Sequence, residues 1–109
     1  MIFGNEFNKP VDNLSPELLK LTFGYYFNQP VDKLPSKLLY INFGNKFNQP
    51  IDKLPSKLLY IKFGNRFDQP VDKLPYELQE IRFTTEYKRP LDSIPNEIKI
   101  KKKYIMDIY

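Results

Sequence analysis

The chain has no cysteine and no histidine among its 109 residues. Without cysteine there are neither disulfide staples nor thiolate ligands, which fits a reducing compartment. Without either residue, the side chains that most often carry a proton near neutral pH or act as an activated nucleophile are missing. Ser15, Ser36, Ser56 and Ser93 lie in or near proline turns, with no base in the sequence to activate them. Long apolar runs are absent too, whereas a bilayer span needs about 20 such residues. The opening MIFGNEFNKP lacks the basic region and apolar stretch of a secretory signal. The expectation is therefore a cytoplasmic, non-catalytic protein with no catalytic residues, no cofactor and no membrane segment. Without a signal, the triplet Asn13-Leu14-Ser15 reads as a chance match to a glycosylation site.

Glycine is scarce, and its placement shows why. The four glycines, Gly4, Gly24, Gly44 and Gly64, recur every 20 residues. All nine phenylalanines fall at two phases of the same period: Phe3, Phe23, Phe43, Phe63 and Phe83, then Phe7, Phe27, Phe47 and Phe67. Pro10, Pro30, Pro50, Pro70 and Pro90 form a further column. A period in this range marks stacked supersecondary units, each of which buries its apolar face only against a neighbour. The fullest unit, from Ile41, is INFGNKFNQPIDKLPSKLLY, and the fifth is degraded to IRFTTEYKRPLDSIPNEIKI, as a terminal repeat is.

Around the first phenylalanine column, apolar and polar residues alternate, as in Leu21-Thr22-Phe23 and Ile61-Lys62-Phe63. This pattern predicts one short strand per repeat, stacked about 4.8 Å apart into a parallel sheet with isoleucine and phenylalanine ladders inside. The glycine column after the strand needs either positive φ or close backbone approach. Asn8, Asn28 and Asn48 are placed to bond the backbone of the next turn. Ten prolines exclude long helices and leave room for a single turn, read as 3₁₀, after Pro35, Pro55 or Pro75. Leu34, Leu54, Leu74 and Ile94 supply the core from that side.

The strings FGYYFNQPV, FGNKFNQPI and FGNRFDQPV, each followed by DKLP, closely resemble the FNIP repeat. That family is common in amoeboid eukaryotes and the large DNA viruses that infect them, and the resemblance covers residues 1 to 98. It implies a leucine-rich-repeat-like β-solenoid of about five repeats, used as an interaction surface. In some members an F-box precedes the repeats and implies substrate capture for a ubiquitin ligase; here Met1-Ile2-Phe3 enters the first repeat at once, so that alternative becomes an adaptor fragment lacking its F-box. The fifth unit departs from the family pattern at Thr84, Tyr87 and Lys88.

Two constellations carry chemistry. The first is the acidic column Asp12, Asp32, Asp52, Asp72 and Asp92. Calcium wants about six to eight oxygen ligands, whereas each repeat offers one aspartate, usually followed by lysine. The column therefore reads as turn residues accepting backbone N–H bonds, and no metal is expected. The second is the outward set of the sheet: Lys20, Thr22, Tyr40, Asn42, Tyr60, Lys62, Glu80 and Arg82. These positions vary while the rest of the unit stays fixed, and adjacent tyrosines among basic and amide side chains resemble an interface centre. Tyr25 and Tyr26 are placed to extend it. The alternative is a solvated face whose tyrosines pair across strands.

The reading is a curved, right-handed solenoid over residues 1 to 100 with its sheet on the concave side, binding an unknown protein partner. Residues 101 to 109 form a basic and apolar tail or cap, with Tyr104, Ile105 and Ile108 folding over the fifth repeat. Exposed solenoid ends invite self-association. Nucleic acid is the disfavoured partner, because residues 1 to 80 carry 10 Lys+Arg against 9 Asp+Glu and the excess gathers in the last quarter, around Lys101, Lys102 and Lys103.

Overall fold

A computed structural model describes residues 1–103. Its five strands are β1 (Lys20–Thr22), β2 (Tyr40–Asn42), β3 (Tyr60–Lys62), β4 (Glu80–Thr84) and β5 (Lys99–Lys103). They form one parallel sheet in sequential order. Between β1 and β4 each residue pairs with the one 20 positions on, such as Leu21 with Ile41 and Ile41 with Ile61. Ile2 adds a single bridge to Thr22 on the outer side of β1. The chain is therefore a β-solenoid with one strand per turn.

The apolar columns fill the interior. Phe27, Phe47 and Phe67 are almost wholly buried, as are Ile41, Ile61 and Ile81. The two phenylalanines of a turn stack face to face, with centroids 3.7 Å apart for Phe23 and Phe27 and 3.8 Å for Phe43 and Phe47. Successive turns are separated by 5.4–5.9 Å in the first column and 5.7–6.1 Å in the second, where Tyr87 continues the stack. Strands in a sheet lie only about 4.8 Å apart. The ring centroids of successive turns are thus spaced more widely than strands are, with the rings held within 18° of parallel.

The glycine column serves close approach: none of the glycines has positive φ. A Cβ on Gly44 would overlap the carbonyl oxygen of Gly24, and one on Gly64 that of Gly44, whereas Gly4 has open space around it. Polar groups on the flank tie each turn to the next. Asn8 Oδ1 accepts the amide of Asn28 at 2.8 Å and the Gln29 side-chain amide at 3.1 Å. Asn28 does the same for Asn48 and Gln49, and Asn48 for Asp68 and Gln69. The expected asparagine ladder is present.

Two expectations need correction. No 3₁₀ segment forms among the described residues: Leu38 donates to the Pro35 carbonyl at 3.2 Å, but the next amide, Leu39, donates instead to Leu19 of the preceding turn at 2.8 Å. A second consecutive i→i+3 bond, which a 3₁₀ helix needs, is thereby lost to stacking. The aspartate column also lacks its expected role. Asp12, Asp32, Asp52, Asp72 and Asp92 are exposed, and none of them accepts a hydrogen bond among the described residues. In the last repeat the turn that holds Asp92 is closed by backbone instead, with Ile94 donating to the Leu91 carbonyl at 3.1 Å.

The last turn is one residue shorter than the others. Ile98 takes the place of Leu78, with its amide bonded to the Pro95 carbonyl, but Lys99 then pairs directly with Glu80. In earlier turns one carbonyl, such as Leu59, accepts from two successive amides, Gln79 and Glu80. That two-against-one step is a bulge-like feature, and its omission sets Ile100 against Ile81 and Lys101 against Arg82. β5 runs to Lys103, pairing with β4 from Glu80 through Thr84. The cap expected of Tyr104, Ile105 and Ile108 lies outside the described residues.

Candidate functional site on the sheet face

Strands β1 to β4 each present two side chains outward around one buried residue, whereas the central Ile100 of β5 is exposed. The first row is Lys20, Tyr40, Tyr60, Glu80 and Lys99; the second is Thr22, Asn42, Lys62, Arg82 and Lys101. All eight residues expected to form the partner-binding set are brought together in these rows. Lys99 and Lys101 extend both rows and were missed. The 19-residue interval between Ile81 and Ile100 was the signal for them.

The first row is a stack of cations and rings. Lys20 Nζ lies 5.1 Å from the centroid of the Tyr40 ring. Tyr40 and Tyr60 are 6.3 Å apart and tilted by 44°, and the Arg82 guanidinium lies 5.5 Å from the Tyr60 centroid. Such contacts hold rings in place while leaving an aromatic surface for a partner. Tyr40 remains 38% exposed. Lys20, Tyr40, Tyr60, Thr22 and Asn42 line a shallow hollow of about 200 Å³.

Arg82 Nε donates to Glu80 Oε2 at 2.6 Å, with both side chains mostly shielded. Burial alone would raise the Glu80 carboxyl, but the hydrogen bond and charge of Arg82, with Lys101 and Lys99, outweigh it and hold it below the usual carboxylate range. Lys62 is pushed down, first by burial and then by the positive charge of Arg82. In the second row, Asn42 Nδ2 donates to Thr22 Oγ1 at 3.3 Å, leaving the solvent-shielded Asn42 Oδ1 without a donor.

Tyr25 and Tyr26 form a separate, exposed edge-to-face pair 4.8 Å apart in the turn after β1, with Lys46 over Tyr25. Their place is the rim of the sheet rather than its rows. No group of three or more acidic side chains among the described residues is arranged to hold a metal ion. No helix among them is long and apolar enough to cross a membrane.

Comparison with known proteins fits this geometry. No curated protein matches the chain. Among solved structures it is similar to CroV588, described as a novel circular LRR protein, with a TM-score of 0.82 and 33% identity over 93% of this chain. The chain spans 16% of the length of CroV588. The model of the FNIP Repeat matches residues 7–46 and 47–83. With leucine-rich-repeat architecture and FNIP units over most of its length, the chain belongs to the FNIP repeat family.

Proposed function

We propose that the chain is a non-catalytic protein-interaction module of the cytoplasm and that its sheet face, centred on Tyr40 and Tyr60, receives the partner. The observation that carries this reading is the division of labour within each repeat. The inward columns repeat Ile, Phe and Leu with little change, while the outward positions of neighbouring strands differ in charge, size and aromaticity. A surface needed only for solubility has no reason to hold two half-exposed tyrosines between a lysine and an arginine. Tyr and Arg at the centre of a patch are what binding interfaces enrich.

The test is capture from a cytoplasmic extract by the immobilised chain, compared with a Tyr40→Ala/Tyr60→Ala double variant of unchanged melting temperature. Captured proteins should be lost with the variant. Equal capture by both would remove the sheet face from the reading; a large fall in melting temperature would favour the alternative that these tyrosines pair across strands to stabilise the sheet.

A further inference from the structure

The charge of the molecule is divided unevenly between its surfaces. Among the described side chains the sheet face carries five cations, Lys20, Lys62, Arg82, Lys99 and Lys101, and one anion, Glu80. Its surplus of four equals the formal net charge of the whole chain, +4, so the remaining twelve cations and twelve anions balance one another. Much of that balance is local, as in Asp32-Lys33, Asp52-Lys53 and Asp72-Lys73, or in the pairs Lys37 with Glu17 and Arg89 with Asp68. The face is also graded. β1 and β2 present Thr22, Tyr40 and Asn42 beside one lysine, whereas β3 to β5 gather four cations around Glu80.

Resting on the reading of this face as the interface, we propose that its occupant is an extended acidic polypeptide segment, with carboxylates over Lys62, Arg82, Lys99 and Lys101 and uncharged residues over Tyr40 and Tyr60. Complementary charge steers such a segment and fixes its direction across the sheet. Five strands at about 4.8 Å spacing span roughly 19 Å, which about six residues of extended chain match. An anion beside Lys62 and Arg82 relieves the mutual repulsion of two partly desolvated cations, the same repulsion that helps push the Lys62 ammonium down.

A polypeptide fits better than a nucleic acid. Phosphates follow one another without interruption along a strand and favour an unbroken basic track, whereas Glu80 lies in the middle of this cluster and the β1–β2 half is nearly neutral. A peptide can place carboxylates and apolar side chains unevenly, as the face does.

The test uses the full chain and three fluorescent probes read by anisotropy: a Glu-rich peptide containing Leu and Tyr, the same peptide with Gln for every Glu, and a single-stranded DNA oligonucleotide of equal charge. The Glu peptide should bind saturably and the Gln peptide should not. Binding should weaken by about tenfold or more in Lys62→Gln/Lys101→Gln, as loss of interface charge pairs does, and remain unchanged in Lys33→Gln/Lys53→Gln. Both double variants must keep the parent melting temperature; otherwise Lys62→Arg, which retains the charge and should retain binding, serves with Lys101→Gln as the comparison. No binding of the Glu peptide, or binding indifferent to Lys62 and Lys101, overturns the proposal. Tighter binding of DNA through the same lysines overturns it in favour of nucleic acid. Loss of extract capture in the tyrosine variant, alongside failure of the Glu peptide, would separate the two readings: the interface would stand and its acidic occupant would fall.

Discussion

The three middle turns and the fifth turn follow nearly the same path with different bonds. In the middle turns a phenylalanine pair, a glycine and an asparagine do the repeated work, and backbone amides at Tyr26, Lys46 and Arg66 each donate to the carbonyl of Asn5, Tyr25 and Asn45 in the turn before. The fifth turn substitutes side chains. Thr84 stands where glycine would, is buried, and donates from Oγ1 to Asn65 Oδ1 at 3.2 Å. It also accepts the Glu86 amide, so that amide bonds within its own turn. Tyr87 keeps its ring on Phe67 and Phe83 while its hydroxyl donates to Gln69 O at 2.8 Å. Where Lys88 ends the amide ladder, Arg89 Nε donates to Asp68 Oδ1 at 2.8 Å. The aspartate at 68 and the arginine at 89 are thus matched departures. A middle repeat must present the same surface on both sides; among the described residues only the strand β5 stacks beyond the fifth turn, which frees the rest of that turn's sequence.

The largest break in this comparison comes from the aromatic stack. Phe47 touches ring neighbours in its own turn and in the turns before and after. Phe47→Ala should cost roughly 3–5 kcal/mol, in the range of buried aromatic truncations. Phe7, half-buried with a ring neighbour on one side only between turns, should cost clearly less when truncated. Equal losses in denaturant unfolding would mean that stacking across turns contributes little.

Glycine gives the next effect. Gly44→Ala should destabilise by about 1–3 kcal/mol, because a Cβ is forced against the Gly24 backbone and the turns must move apart. Gly4→Ala meets open space and should be neutral or slightly stabilising. A melting temperature that falls equally for both would show that the column is there for a turn conformation instead of for close approach.

The periodicity alone carried the fold class, because 20-residue spacing, a fixed inward phase for phenylalanine and strand-like alternation all point to one strand per turn. The outward set was legible for the same reason: once Leu21 and Phe23 are inside, Lys20 and Thr22 must face out. What escaped lay in departures from the strict period and in bonds that compete between turns. The single residue missing from the last unit shifts Lys99 and Lys101 onto the face, and its trace in the sequence is the 19-residue step from Ile81 to Ile100. The 3₁₀ expectation failed because Leu39 had a partner in another turn, invisible to local sequence. The aspartates were assigned bonds that they do not accept among the described residues, and the Asp92 turn is closed by the Ile94 amide and the Leu91 carbonyl.

Asn48 sharpens the contrast at smaller scale. Asn48→Ala removes an acceptor for Asp68 N and for Gln69 Nε2 and should cost about 1 kcal/mol, the usual net worth of such bonds. Lys88→Ala, in the turn where the ladder has ended, should change stability less. If the two are alike in chemical denaturation, the amide ladder is a consequence of stacking and not a contributor to it.

The smallest effect lies in the alkaline limb of the stability curve. Burial raises the Tyr87 phenol above its ordinary value of 10.0, with Arg89 opposing and Asp68 and Asp72 reinforcing. A raised folded-state value means that the neutral phenol is favoured in the folded protein. Its contribution is therefore complete below about pH 10 and is lost as pH climbs through the unfolded value toward the folded one. Tyr87→Phe removes the bond to Gln69 O, so it should lower stability by about 1 kcal/mol at neutral pH while flattening the decline above about pH 10. The same substitution restores the phenylalanine of the middle turns at this phase, so it isolates the hydroxyl from the ring. Should the variant be as stable as the parent at neutral pH and decline as steeply in alkali, the hydroxyl is not what ties the fifth turn to the fourth, and Thr84 and Arg89 carry that attachment.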